Sequence, residues 1–483
     1  MKTTALFSLA GILLITVVTC SGSTKNNTVV SSIPADTAGE HYIKEYFQSS
    51  LRTEQLNFPN LTKSIYAAKD YHYVWFQSWN KQDKLWDAMM LLDCVVTYGL
   101  VPFSYHPNDL TYNNLKQVLE VKEEDDFKLK TKTDILLTDA VLTFIAHLHF
   151  GQANPYISAS QIDNKSFKGF RIDSVFAAAL DNNFRETILN AQPRDEGYKK
   201  LQDFLRLAVG QYTGDCYEFS EDSLKLIAIN MERYKWNAVD NDAFIVINIP
   251  SFSLQFTDKD VIQNFKVIVG RPSNPTPLLS SYLSSFNTAP DWNVPARIFR
   301  RELLPKAIKN PNYLRDNNFA IYNRNGTYVE PTALNLEKIA GSPSGYYARQ
   351  SPGCDNALGR IAFYFKNPYS VYLHDTPQKE LFNKNYRAFS HGCIRIENPE
   401  KLLAGLLDKD GASKTVYSEA LKAMNSYKRF TYTFKKRVPI TTRYITCEIK
   451  EGFLIKYDDV YSYDRSLINK LFKSTKFLPV SNN

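Results

Sequence analysis

The sequence predicts an α+β protein, with an N-terminal helical domain followed by a mostly β domain that carries an inserted subdomain. Three observations predict it. Apolar residues recur at helical spacing from about residue 41 to 236, the period shortens to that of strands from residue 243, and residues 299–355 interrupt the strands with short helical and turn-rich pieces. At 483 residues the chain is too long for one ordinary core, and 44% hydrophobic with 22% charged residues describes a globular protein. The formal charge of +8 is spread along the chain. No block of like charges offers a nucleic-acid arm, so the charge implies only mild attraction to anionic surroundings.

At the N-terminus, MKTT precedes the apolar run ALFSLAGILLITVVT, which is short for a membrane span and suits a secretion signal over residues 1–20. Cys20, directly after the run, resembles the lipidated cysteine of a bacterial lipobox, although Thr19 is larger than the residue usual there. A periplasmic protein anchored through an N-terminal lipid is the expectation, with residues 21–40 as a polar tether. Beyond Cys20 the cysteines are Cys94, Cys216, Cys354, Cys393 and Cys447. An odd number in an exported chain leaves at least one thiol unpaired.

Residues 41–236 are expected to form a helical scaffold domain. LWDAMMLLDCVVTYGL and TDILLTDAVLTFIAHLHFG carry broad apolar helical faces, the second with Thr133 as candidate N-cap and Gly151 as stop. Trp75, Trp79 and Trp86 are expected in its core. His147 and His149, two apart, point to different faces and are expected to be ordinary helix residues with no shared metal.

Residues 237–483 are expected to form the catalytic domain. AFIVINIPSFSLQFTDKDVIQNFKVIVG gives two or three β segments with TDKD as a hairpin turn, and IAFYF and SVYLH give two further strands. The insertion between them contains NPNYL, NRNGTY and GSPSGYY, and its length suits a lid or binding loop. TTRYITCEIK, Glu451 with Gly452, then FLIKYDDVYSY look like a closing hairpin.

The chemistry concentrates in RAFSHGCIRIENPEKLL, residues 387–403. Asn398 as N-cap and Pro399 at the first position start a helix there, so Cys393 falls at a strand end or in the loop before it, where Gly392 permits close backbone approach. Cys393 could be a buried structural cysteine, a metal ligand with His374 and His391, or a nucleophile. A structural cysteine needs no histidine partner, and the metal reading finds no fourth ligand. A nucleophile needs a base, and His374 at the end of SVYLH can reach the thiol from a neighbouring strand.

The pattern HDTPQKELFNKNYRAFSHGCIR resembles the signature of the YkuD-type L,D-transpeptidases. VIVGRP, WNVPARIFRRELLPK, NALGRIAFYFKNPYSVYLHDTP and DDVYSYD are similar to the large periplasmic branch of that family, including its insertion over the active site. Some members carry a small peptidoglycan-binding module before the catalytic sheet; here too few residues separate LQDFLRLAVGQYTGD from the sheet to hold one.

The resemblance implies a YkuD-like fold and acyl transfer on peptidoglycan stem peptides, without a cofactor. Cys393 would attack the L-centre carbonyl of a donor tetrapeptide to form a thioester, which an amine on a second stem resolves as a 3→3 cross-link. His374 would be the base, its ring steadied by the backbone near Asp375, and the N–H groups of Gly392 and Cys393 the oxyanion hole. Arg395 would hold a substrate carboxylate or make an internal salt bridge, and Tyr372, His391, Trp292 and Asn356 would shape the substrate site. An L,D-carboxypeptidase, with water as acceptor, and a non-catalytic wall-binding lipoprotein are the alternatives. Oligomeric state has no signal.

Overall fold

The computed structural model describes residues 35–76, 83–120, 124–210, 219–236 and 243–473. An N-terminal helical region is followed by a β-rich domain built on a closed sheet, as the change of period predicts. One helix, Glu124–His149, is the central post of the helical region. Nearly all its residues from Ile135 to Leu148 are buried, so its apolar surface runs all round, as in a helix enclosed by others. Thr133 is therefore not its N-cap but a buried mid-helix residue, while Gly151, at φ +88°, does follow its end. Buried carboxylates on such a helix need partners. Asp134 accepts from the Val74 and Trp75 N–H groups, both at 2.9 Å, and Asp139 from those of Asn57 and Phe58 at 3.0 and 2.8 Å, pinning two loops to the post.

His147 and His149 take different partners, the Tyr105 hydroxyl at 2.9 Å and the Ala191 carbonyl at 3.1 Å. Trp75 is core, whereas Trp86 departs from expectation: 37% exposed, it stacks on Tyr112. Its helix, Asp83–Asp93, buries the stripe Leu85, Ala88, Met89 and Leu91, which Trp86 lies beside. Trp79, Cys20 with its signal, residues 21–34 of the expected tether, and Cys216 lie outside the described residues; the tether's expected last residues, 35–40, are already helical, in the helix Ala35–Gln48.

The sheet runs in the order Ala388–Ser390, Val261–Gly270, Ile394–Ile396, Leu373–His374, Ile361–Phe365, Ser280–Thr288, Thr431–Arg443, Ala243–Asn248, Ser253–Asp258. The hairpin between Ser253–Asp258 and Val261–Gly270 closes it into a barrel, turning at Lys259 and Asp260 within the TDKD stretch. Inward residues such as Ile245, Ile247, Phe286 and Phe363 meet Leu402, Leu403, Leu406 and Leu407 of the helix Pro399–Asp410 in a second core.

The insertion leaves after Ser280–Thr288 and returns to Ile361–Phe365; these two strands pair directly, so the sheet is uninterrupted. It has its own core around Phe299, Leu303, Leu314, Ile321 and Ile339, and its own four strands. The first, Trp292–Asn293, pairs with Tyr346–Gln350, so the unit begins earlier than residue 299. A strand of two residues has no period to read in sequence.

The C-terminal segment also departs from its sequence assignment. After Thr431–Arg443 the chain forms a hairpin, Cys447–Lys450 with Phe453–Lys456, and a helix, Tyr463–Phe472, but both return to the helical region. Ile445, Cys447, Leu467, Leu471 and Phe472 are buried in its core. Polar contacts finish the seam: Thr446 N–H donates to the Asn230 side chain at 2.8 Å, and Arg233 pairs with Asp464 at 2.5 Å.

Candidate active site

His374 and Cys393 meet because the strands Leu373–His374 and Ile394–Ile396 are parallel neighbours, with His374 opposite Arg395 and Leu373 opposite Ile394. Side chains alternate along strands. Leu373 and Ile394 are fully buried on the core side, so Tyr372, His374, Cys393 and Arg395 share the other face. Substrate can approach that face.

The loop before the thiol is held from within. Gly392 has φ +116°, while a Cβ there would come no nearer than 3.7 Å to the Pro275 carbonyl. The left-handed backbone, and not the close approach expected from sequence, is what requires glycine. Ser390 Oγ accepts from the Gly392 N–H at 3.1 Å and donates to the Cys393 carbonyl at 2.5 Å. The Gly392 N–H, expected in an oxyanion hole, is thus engaged inside the turn. The Cys393 N–H has no protein acceptor among the described residues. The Gly392 carbonyl accepts from the Thr276 hydroxyl at 2.9 Å, and the Tyr461 hydroxyl receives the Thr276 N–H at 3.0 Å and donates to the Gly270 carbonyl at 2.7 Å.

The Cys393 thiol is half-buried and donates to the Ser370 carbonyl at 3.7 Å. Burial lifts its pKa above the ordinary thiol value, with Tyr372 and Arg395 opposing. His374 is buried, its Nδ1 lying 2.6 Å from the Asp375 carbonyl. A carbonyl only accepts, so Nδ1 carries the proton and Nε2 keeps its lone pair. Burial, then the Arg395 charge, push the imidazole down to about 3. The resting pair is therefore a neutral thiol and a neutral base. No hydrogen bond joins them among the described residues; such contacts commonly tighten only when substrate is bound.

The carbonyl that orients His374 is itself fixed. The buried Asp375 carboxylate accepts from the Arg360 N–H at 2.9 Å and pairs with the Lys379 ammonium. Arg395 donates to the Gln378 side chain at 2.7 Å, its Nε is buried without a partner, and no carboxylate pairs with it among the described residues. The internal salt bridge is absent from this arrangement, and the guanidinium is available to an anionic group. The Tyr372 hydroxyl contacts both the Cys393 thiol and Trp292 of the insertion, and burial pushes its pKa up, keeping it a donor.

His391 is bonded to the insertion: its Nε2 lies 2.7 Å from Glu302 Oε1, which also takes Arg271 at 2.9 Å. Burial acts to raise the Glu302 pKa, but these two bonds hold it below the ordinary carboxylate value. Glu302 sits in the π-helical turn Phe299–Leu303, a distortion frequent near functional sites. Asn356 does not line the cleft. It is 1% exposed, donates to the Gln350 and Ser351 carbonyls and accepts from the Leu358 N–H at 2.8 Å, bracing the turn where the insertion rejoins the sheet.

Sequence reading missed Glu302, Arg271, Ser390, Thr276 and Tyr461. All but Thr276 lie in quoted stretches, Arg271 in VIVGRP, Glu302 in WNVPARIFRRELLPK, Ser390 in RAFSHGCIR and Tyr461 in DDVYSYD, but nothing in those stretches assigned them a role. Cys94 and Cys354 are exposed free thiols and Cys447 a buried one. No group of three or more potential metal-ligating residues occurs among the described residues.

Residues 242–416 match the L,D-transpeptidase catalytic domain of the YkuD family, and residues 60–205 match a scaffold domain. A protein of Haemophilus influenzae named "Putative L,D-transpeptidase" is 30% identical over 419 residues, covering 86% of this chain and 80% of that protein. A solved L,D-transpeptidase from Mycobacterium smegmatis aligns with 42% of this chain and 58% of its own at 14% identity, with a TM-score of 0.20, too loose an overlap to carry structural argument.

Proposed function

The chain belongs to the YkuD-type L,D-transpeptidase family, and on that premise we propose that it joins peptidoglycan stem peptides in 3→3 cross-links through a thioester on Cys393. One observation carries this reading: the parallel register that sets Cys393, Arg395 and a base-form His374 on one face of the sheet.

The thiol sulfur attacks the L-centre carbonyl of a donor tetrapeptide while His374 Nε2 takes its proton. The Cys393 N–H is the donor to the oxyanion, with Tyr372 beside the sulfur. Collapse breaks the peptide bond, His374 returns the proton to the leaving amine, and D-Ala departs from the thioester. The side-chain amine of a second stem then attacks, His374 takes its proton, and the thiol is regenerated. Arg395 holds a stem carboxylate.

Assignment to the large branch of the family is supported by the insertion, which touches the site through Trp292 and Glu302. Residence in the periplasm on a lipidated Cys20 follows from the N-terminal sequence alone. Labelled fatty acid should enter the wild type and not Cys20→Ala; recovery of mature protein that still begins before Cys20 overturns the lipoprotein reading.

Mass spectrometry of tetrapeptide stems incubated with the purified protein tests the reaction. The expected product is a dimer lacking one D-Ala, absent with Cys393→Ala. Tripeptide alone would make the protein an L,D-carboxypeptidase, and no Cys393 adduct with stems or carbapenems would make it a non-catalytic binder.

A further inference from the structure

Between the helical region and the sheet lies a cleft of about 760 Å³, within the size range of ligand sites. Acyl transfer at Cys393 makes no use of most of its walls. One wall is helical, with Trp236 and Lys470, and the other is catalytic, with Asn274, Tyr369 and Gly392; Arg297 of the insertion closes one side.

Its charge is one-sided, for no aspartate or glutamate lines it. Arg233, at its base, is neutralised by Asp464. Arg297 and Lys470 are exposed, and neither has a carboxylate partner among the described residues; Lys470 reaches only the Ala153 carbonyl at 3.4 Å. The cleft also reaches the loops that carry and hold the nucleophile: Gly392 directly precedes Cys393, and Tyr369 and Val371 flank Ser370, whose carbonyl holds the thiol. An acidic chain lying there would run toward the loop that carries the sulfur, with the aromatic residues Trp236 and Tyr369 along its walls.

We propose that this cleft is a binding site for an acidic peptide, recognised through carboxylates by Arg297 and Lys470, and that it guides one of the two stem peptides to Cys393. The proposal rests on the transpeptidase reading for the identity of the peptide. The helical region is then part of the substrate site, which explains why its C-terminal helix and the Gly392 loop face a common space.

The test uses the full chain carrying Cys393→Ala, titrated calorimetrically at low salt with a soluble tetrapeptide stem. Adding Arg297→Glu and Lys470→Glu should weaken binding by about ten-fold or more, and raised salt should weaken the parent in the same direction. A stem with its carboxylates amidated should bind the parent weakly and be indifferent to the charge reversals. With Cys393 intact, the charge-reversed protein should still be acylated by a carbapenem, which is too small to need the cleft. Unchanged stem affinity, equal losses for acidic and amidated stems, or loss of carbapenem acylation would each overturn the cleft proposal. Failure of the wild-type chain to acylate at all would overturn the transpeptidase reading instead.

Discussion

Two histidines within reach of one cysteine differ in what already holds them. His374 has one nitrogen bonded to a backbone carbonyl and the other with a free lone pair, whereas the His391 ring is bonded to Glu302. His374→Ala should therefore slow acylation of Cys393 by about 10²-fold or more, while His391→Ser keeps measurable turnover; single-turnover acylation of both folded variants checks this. Abolition by His391→Ser with His374→Ala unaffected would reverse the roles. The pKa directions set the pH profile. A base with its pKa pushed down to about 3 stays neutral at every pH above that, and a thiol lifted by burial stays protonated well into the alkaline range. The reactive pair is thus fully populated between the two, and the acylation rate should be level from about pH 5 to 8, with no inflection near the ordinary histidine value of about 6.5. An inflection there would mean that the ring is solvated.

At the scale of elements, the site depends on how the insertion's return strand presents Asp375. Gly359 has φ +63°, and a Cβ on it would lie 2.5 Å from Asp375 Oδ2, so both conformation and space require glycine. Gly359→Ala should displace the Asp375 segment and with it the carbonyl that orients His374. A loss of about 1–3 kcal/mol in stability is expected, with slower acylation even where the variant is folded. Gly341→Ala, where a Cβ would meet nothing within 4 Å, should leave both unchanged. Thermal melts and acylation rates of the two variants decide it; equal behaviour would remove the Asp375 brace from the mechanism. The His374-to-Cys393 motif was legible in sequence because it lies in two short continuous stretches. Glu302 was not, because its contact with His391 joins residues 89 apart and depends on a π turn that no residue pattern announces.

At the scale of the molecule, the C-terminal segment fastens the helical region to the sheet. The Arg233 guanidinium is nearly buried, lies over the Tyr444 ring at 5.0 Å and has Asp464 as its counter-charge. Asp464→Ala leaves that cation buried without an anion, and breaking such a pair typically destabilises by about 3–5 kcal/mol. Chemical denaturation should show a loss of this order, and limited proteolysis should cut first near residues 445–472. A loss under about 1 kcal/mol would mean that the Arg233–Asp464 pair does not fasten the segment, which its apolar contacts and the Thr446–Asn230 bond then hold.

The sequence by itself determined the order of helical and β-rich parts, the helix starting at Pro399, the TDKD hairpin, and the pair His374 and Cys393 with their flanking Arg395 and Tyr372. These are local facts, written in periodicity, turn chemistry and motif spacing over a few tens of residues. Tertiary structure decided the rest. It assigned the hairpin of residues 447–456 and the helix Tyr463–Phe472 to the helical core, gave Gly392 its reason in backbone conformation, turned the Gly392 N–H into a turn contact, withdrew Asn356 into a brace and enclosed the cleft between two domains. Each of these depends on which apolar faces find one another across long stretches of chain. That choice minimises exposed apolar surface over the whole molecule at once, so no short window of sequence contains it.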